Sequence, residues 1–100
     1  MPRQTRLQKF MRILQQQMPN LTEQYSVATL EVFGSYVRHE QRRDSDLDIL
    51  VTFNKPPSLF KIVRLENHLS DILSVKVDLV MKDSLKPAIG KNILREAVLV

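Results

Sequence analysis

The chain predicts an α+β domain, a small β-sheet packed by helices. Three short apolar runs with strand character, at 28–33, 47–53 and 75–81, alternate with segments of helical period. A length of 100 residues holds one domain, 1–100, with one modest core. A chain of that size buries roughly 60–68% of its extended surface. Hydrophobic residues make up 43% and charged residues 26%, and no low-complexity run appears, which argues against disorder.

Residues 4–18 predict an amphipathic helix, with Leu7, Phe10, Met11, Leu14 and Met18 on one face and Gln, Arg and Lys on the other. Pro19-Asn20 should end it, leaving 21–27 as a connector. Residues 28–33 (Ala-Thr-Leu-Glu-Val-Phe) form the first strand, broken by Gly34-Ser35. Tyr36 to about Gln41 would make one or two helical turns with Ser35 as N-cap, and 41–46 is a charged turn. Residues 47–53 are the strongest strand, followed by a Pro56-Pro57 turn. Ser58 caps a helix to about Leu73, whose apolar face is Leu59, Ile62, Val63, Leu65, Leu69 and Ile72. After the strand at 75–81, residues 84–97 predict a last helix with Leu85, Ile89, Ile93, Leu94 and Ala97 inward, weakened by Gly90. Val98 to Val100 form a short extended tail.

Composition excludes several chemistries. Cysteine is absent, so neither disulfides nor thiolate metal sites are available, which suits a reducing cytoplasm. No apolar run nears the roughly 20 residues of a membrane span. Met-Pro-Arg-Gln-Thr-Arg is not followed by the apolar stretch of a secretory signal. The net charge of +4 raises the possibility of a nucleic-acid partner, but the basic residues are scattered apart from Arg3, Arg6, Lys9 and Arg12 in the first helix. Aromatics are only 6%, too few for a base-stacking platform. No direct nucleic-acid contact is expected, and the basic surface suits an acidic partner or a triphosphate. His39 and His68 are isolated and read as surface residues rather than metal ligands.

Aspartate is disfavoured in strands, yet two of the predicted strands carry it. Asp46 and Asp48 are two apart, so their side chains share a face, opposite Leu47 and Ile49. Asp78 lies inside Val75-Lys76-Val77-Asp78-Leu79-Val80, opposite Val77 and Leu79. One such Asp is ordinary at a solvent edge. Three on neighbouring strands would need a proton or a cation between them. A hard divalent ion with oxygen ligands answers that need, and Mg²⁺ takes one or two carboxylates together with substrate phosphates. Two such ions would clamp an in-line phosphoryl displacement.

Gly34-Ser35 stands at a strand exit, where a glycine lets backbone approach a ligand and free N–H groups favour anions. By itself this is an ordinary turn. Arg38 follows Ser35 by three residues and shares its side, whereas Arg42 and Arg43 are weaker candidates for phosphate contact.

Residues 34–48 read Gly-Ser, ten residues, then Asp-x-Asp. Four fixed residues match by chance in roughly one chain per thousand of this length. The segment resembles the signature of the DNA-polymerase-β-like nucleotidyltransferase superfamily, and the closer resemblance is to minimal nucleotidyltransferases, the MNT antitoxins paired with HEPN toxins. It spans nearly the whole chain: Phe33-Gly34-Ser35-Tyr36-Val37-Arg38, Ser45 to Val51, Val77 to Val80, and Leu85-Lys86-Pro87 through Glu96-Ala97-Val98. His39 departs from the pattern, because the family usually has Gly after the Arg.

The resemblance implies a small mixed β-sheet packed by helices. It implies Asp46, Asp48 and Asp78 as metal and catalytic residues, with Mg²⁺, in two ions, as cofactor. Gly34, Ser35 and Arg38 would bind the nucleoside triphosphate, ATP. The implied function is transfer of AMP to a tyrosine of a cognate HEPN-domain toxin, in the cytoplasm, within a homo- or hetero-oligomer. The alternatives are an antitoxin acting by binding alone and a small-molecule nucleotidyltransferase. A pure binder has no need for clustered like charges. Small-molecule enzymes of this type usually carry a further helical domain, for which 100 residues leave no space.

Overall fold

Helix α1, Arg6–Tyr25, begins at a reciprocal cap in the computed structural model, which describes residues 5–100. Thr5 Oγ1 accepts from the Gln8 N–H at 3.1 Å, and Gln8 Oε1 accepts from the Thr5 N–H at 2.8 Å. Residue 4 of the expected helix, and Arg3, lie outside the described residues. The helix does not stop at Pro19 but runs through it to Tyr25, so the connector expected at 21–27 is mostly helix. An interior proline costs about 3 kcal/mol. Burial offsets it: Leu14 and Leu21, one on each side of Pro19, are both fully buried, each worth about 1.5–3 kcal/mol. The true stop is Ser26, left-handed at φ 57°, whose N–H donates to the Thr22 carbonyl at 3.1 Å.

Strands β1 (Val27–Phe33), β2 (Leu47–Phe53), β3 (Val77–Met81) and β4 (Val98–Leu99) make one mixed sheet in the order β3-β2-β1-β4. β1 is antiparallel to β2 and β4, and β2 is parallel to β3. The terminal tail expected to be merely extended is thus an edge strand, paired Glu31 to Leu99 and Val32 to Val98. Alternation sends Leu30, Val32, Leu47, Ile49, Val51 and Val77 to one face. There they form the core with Phe10, Leu14 and Leu21 of α1 and Leu65, Leu69 and Leu73 of α2 (Leu59–Leu73). Ser58 caps α2 as expected, its Oγ accepting from the Lys61 N–H at 3.2 Å.

Two helices bury less of their apolar faces than their periodicity predicts. Leu59 and Val63 of α2 are exposed, and burial begins only with Leu65. The last helix is α3, Pro87–Glu96, preceded by a 3-10 turn at Lys82–Ser84, and its Ile89 and Leu94 are exposed. Its buried residue is Gly90, where a Cβ would lie 3.3 Å from the Leu85 Cβ. The glycine that weakens the helix on propensity grounds is what lets it close on Leu85.

The second face of the sheet, opposite α1 and α2, carries Glu31, Phe33, Asp48, Leu50 and Asp78. Phe33 and Leu50 are buried on this face, whereas Asp48 is half-buried and Asp78 exposed, and that end of it positions the candidate site.

Candidate active site

β2 and β3 run parallel with Asp48 and Asp78 as register partners, and Phe33 of β1 stands opposite Asp48 on the other side. Period-2 geometry therefore delivers Asp48 and Asp78 side by side to the second face. Asp46, one residue before β2, shares that side and lies 4.0 Å from Lys76 Nζ, a loose exposed pair worth little. The strand adjacency on which convergence depended is thus met.

The carboxylates influence one another. Burial pushes the Asp48 carboxyl up from its ordinary 3.8 to about 6, and the nearby charges of Asp78 and Asp46 push the same way. Arg38 pulls it down and Glu96 adds to the rise. This is a site short of positive charge. The donors are all hard oxygens, so they suit Mg²⁺ by charge and by type. Among the described residues, no three His, Cys, Asp or Glu side chains already form a metal-holding group. The aspartates share a face without closing a ligand shell.

Gly34 follows Phe33 directly and turns the chain at φ +84°. A Cβ there would lie 3.0 Å from Asp48 Cγ and would overlap Oδ2. Only glycine satisfies both the positive φ and the contact. The Gly-Ser turn therefore rests on the carboxylate that it precedes by fourteen positions in sequence.

The segment after Gly34 is a hydrogen-bonded turn and not the short helix expected at 36–41. The Val37 and Arg38 N–H groups donate to the Gly34 carbonyl at 3.1 and 3.2 Å, and the Glu40 N–H donates to the Ser35 carbonyl at 2.9 Å. Left-handed residues bracket it, Gly34 on one side and His39 at φ 58° on the other, so no helix can propagate. Among the described residues, none donates a capping hydrogen bond to the Ser35 hydroxyl. His39 thus holds a left-handed conformation that glycine would occupy at least cost. Tyr36 pins the turn from beneath. It is buried, meets Phe10 edge-on at 5.5 Å, and its hydroxyl donates to the Ser45 carbonyl at 3.5 Å. Ser45 in turn shapes the approach to Asp46, its Oγ accepting from the Arg42 N–H at 2.7 Å.

Arg38 is engaged by carboxylates. Nε donates to Glu40 at 3.2 Å, and Nη1 donates to Glu96 Oε1 and Oε2 at 3.0 and 3.1 Å. Arg42 and Arg43 lie on the exposed loop. His39 is exposed, and His68 stacks on Tyr25 with ring centroids 5.6 Å apart, away from the aspartates.

Sequence reasoning passed over two acids. Glu96, at the end of α3, accepts from the Gly34 N–H at 3.0 Å. Glu31 is the second, with a buried Oε2 that takes no hydrogen bond but lies 2.9 Å from Lys82 Nζ. Glu31 was legible as an acid inside a strand, by the criterion that singled out Asp78. The local mark on Glu96 is faint: a carboxylate at the end of a helix, where the dipole slightly disfavours it. Two surface concavities of about 270 and 290 Å³ lie elsewhere, and neither is lined by Gly34, Ser35, Asp46, Asp48 or Asp78.

Residues 8–100 match the family model described as a nucleotidyltransferase domain. The chain belongs to the nucleotidyltransferase family. Among similar proteins is the protein adenylyltransferase MntA of Thermococcus cleftensis, 49% identical over 94 residues, covering 94% of this chain and 95% of that one. A solved structure of a provisionally named minimal nucleotidyltransferase has a TM-score of 0.76 and 35% identity, covering 92% of this chain and 94% of the other. A toxin–antitoxin crystal structure with AMP-PNP has a TM-score of 0.67 at 24% identity, covering 91% of this chain and 68% of that one, and shows the shared fold. This nucleotidyltransferase thus has the mixed sheet packed by helices that the resemblance implied, and its kinship to minimal nucleotidyltransferases holds over nearly its whole length. No helix among the described residues is long and apolar enough to cross a membrane.

Proposed function

We propose that this domain is a protein adenylyltransferase antitoxin that moves AMP from ATP to a tyrosine hydroxyl of a cognate HEPN-domain toxin in the cytoplasm. The observation that carries the reading is the Gly34-Ser35 turn resting on Asp48, with Asp78 in register beside it. A triphosphate held at the turn has its reacting phosphorus delivered to the acids. The 49% identity to a protein adenylyltransferase over 94% of the chain supports a protein acceptor.

In this reading the Gly34-Ser35 backbone and the Ser35 hydroxyl hold the β- and γ-phosphates. Arg38 lends positive charge, with Nη2 as its remaining donor once Nε and Nη1 have met Glu40 and Glu96. Asp46, Asp48 and Asp78 would hold two Mg²⁺ ions, which when bound neutralise phosphate charge and polarise the phosphoryl oxygens. The tyrosine oxygen attacks the α-phosphorus, the bond from that phosphorus to the α,β-bridging oxygen breaks, and pyrophosphate leaves. Asp78 accepts the hydroxyl proton. Rate enhancement comes from positioning and preset charge, as in other phosphoryl transfers.

The test is incubation with labelled ATP, Mg²⁺ and the product of the neighbouring gene. Label should pass to a tyrosine of that product, and Asp46→Asn with Asp48→Asn should abolish transfer and protection together. If the double variant still protects cells, neutralisation works by binding and the enzymatic reading is wrong.

A further inference from the structure

Gly34 is buried just past the end of β1, beyond the β1–β2 ladder, which ends at the Phe33–Asp48 pair. A buried N–H without an acceptor is costly. The acceptor that the fold supplies comes from 62 residues away: Glu96 Oε1, at 3.0 Å. The same carboxylate receives Arg38 Nη1 at 3.0 and 3.1 Å through its two oxygens. Arg38 is itself tied back to the turn, since its N–H donates to the Gly34 carbonyl at 3.2 Å and its Nε donates to Glu40. Gly34 at the start of the turn and Arg38 within it thus close on one side chain. Charge-assisted bonds of this kind are about twice as strong as neutral ones and are directional.

Glu96 is held in turn by the last four residues of the chain. Ala97 leaves the helix, and Val98 and Leu99 pair with Val32 and Glu31 of β1. The Val100 N–H donates to the Leu30 carbonyl at 3.0 Å. The C-terminal strand is therefore anchored on the strand that ends in Gly34, which fixes where the carboxylate can reach. Local hydrogen bonds give the turn its shape. The position of Gly34 over Asp48 is set by the far end of the chain.

We propose that Glu96 is a positioning residue for nucleotidyl transfer, holding the Gly34 backbone and the Arg38 guanidinium in the arrangement that receives the triphosphate. This rests on the proposed function above. Glu96 touches no reacting atom. It acts through Gly34 and Arg38, so its loss should weaken triphosphate binding and misplace the bound phosphate relative to Asp48.

The test uses the full-length chain with Glu96→Ala and Glu96→Gln. Amide hydrogen exchange without nucleotide reads the brace itself. Gly34 should exchange about tenfold faster or more in Glu96→Ala, while Ile49 and Val51 in β2 keep their protection. ATP binding by calorimetry and transfer kinetics read the consequence. KM for ATP should rise about tenfold or more in Glu96→Ala, with kcat falling by less. Glu96→Gln retains an acceptor for the Gly34 N–H and should recover part of that loss. Unchanged Gly34 exchange in Glu96→Ala overturns the proposal. So does faster exchange with unchanged KM and kcat, which would make the contact purely structural. A wild-type chain that binds no ATP overturns the proposed function, and this role with it, and is told apart because Gly34 would then lose protection in Glu96→Ala without any nucleotide binding to lose.

Discussion

Replacing Asp48 by Asn removes a charge that the folded chain holds unwillingly. Burial, then Asp78, then Asp46 push its carboxyl from the ordinary 3.8 to about 6, against a smaller downward pull from Arg38. At about 1.36 kcal/mol for each pKa unit, the full shift corresponds to roughly 3 kcal/mol. The side chain is only partly buried, so solvent screening reduces this to about 1–2 kcal/mol. The sign follows from proton linkage. Below about pH 4 the carboxyl is protonated in both folded and unfolded chains, and ionisation contributes nothing. Between about 4 and 6 the unfolded chain has lost its proton while the folded chain keeps it, so stability falls as pH rises. Above about 6 the whole cost is present. Asp48→Asn should therefore stabilise the metal-free protein by about 1–2 kcal/mol at pH 8, with the gain vanishing near pH 4. Urea unfolding at half-unit pH steps in the presence of a chelator measures it. Millimolar Mg²⁺ should then raise the wild-type midpoint more than that of the variant, since the cation supplies the missing charge. A variant less stable than wild type at pH 8, or a difference that stays flat between pH 4 and 8, would refute the reasoning.

Gly34→Ala should destabilise the fold by about 2–4 kcal/mol, combining the positive-φ penalty with the overlap on Asp48, and should abolish ATP binding; calorimetry alongside thermal unfolding separates the two effects. His39→Gly should stabilise by about 0.5–1 kcal/mol by relieving a left-handed residue at φ 58°, seen as a rise in melting temperature of about 2–6 °C with ATP affinity retained. Pro19→Ala should restore a helical hydrogen bond within α1 and add about 1–3 kcal/mol, read from the unfolding midpoint; a loss of stability would mean that the proline is accommodated without strain.

The legible part of this site was the part built from sequence-local rules. Asp46, Asp48 and Asp78 stand out because alternation assigns them a face without any knowledge of the sheet, and Gly34-Ser35, an ordinary turn by itself, stands out once its ten-residue spacing to Asp46-x-Asp48 is read with it. The missed parts were decided by contacts across the chain. Pro19 reads as a stop, and local energetics agree, but Leu14 and Leu21 are buried on either side of it and their packing outweighs the proline. Leu59 and Val63 fit a helical stripe, yet the stripe that meets the sheet is Leu65, Leu69 and Leu73, because the start of α2 projects beyond the core.

Glu96 shows the limit most directly. An acid followed by Ala-Val-Leu-Val looks like a helix end before a tail, and helix-dipole arguments count a carboxylate there as slightly unfavourable. Its use appears only once β4 is known to pair with β1, because that pairing brings the end of α3 to the Gly34 turn. An unfavourable local choice tolerated at the end of a helix is a signal of a distant partner, and here the partner is the backbone N–H that the first strand leaves unpaired. The chain thus links its last residues to the Gly34 turn, and truncating β4 should damage nucleotide binding before it damages the core, whose buried residues all precede Ser84.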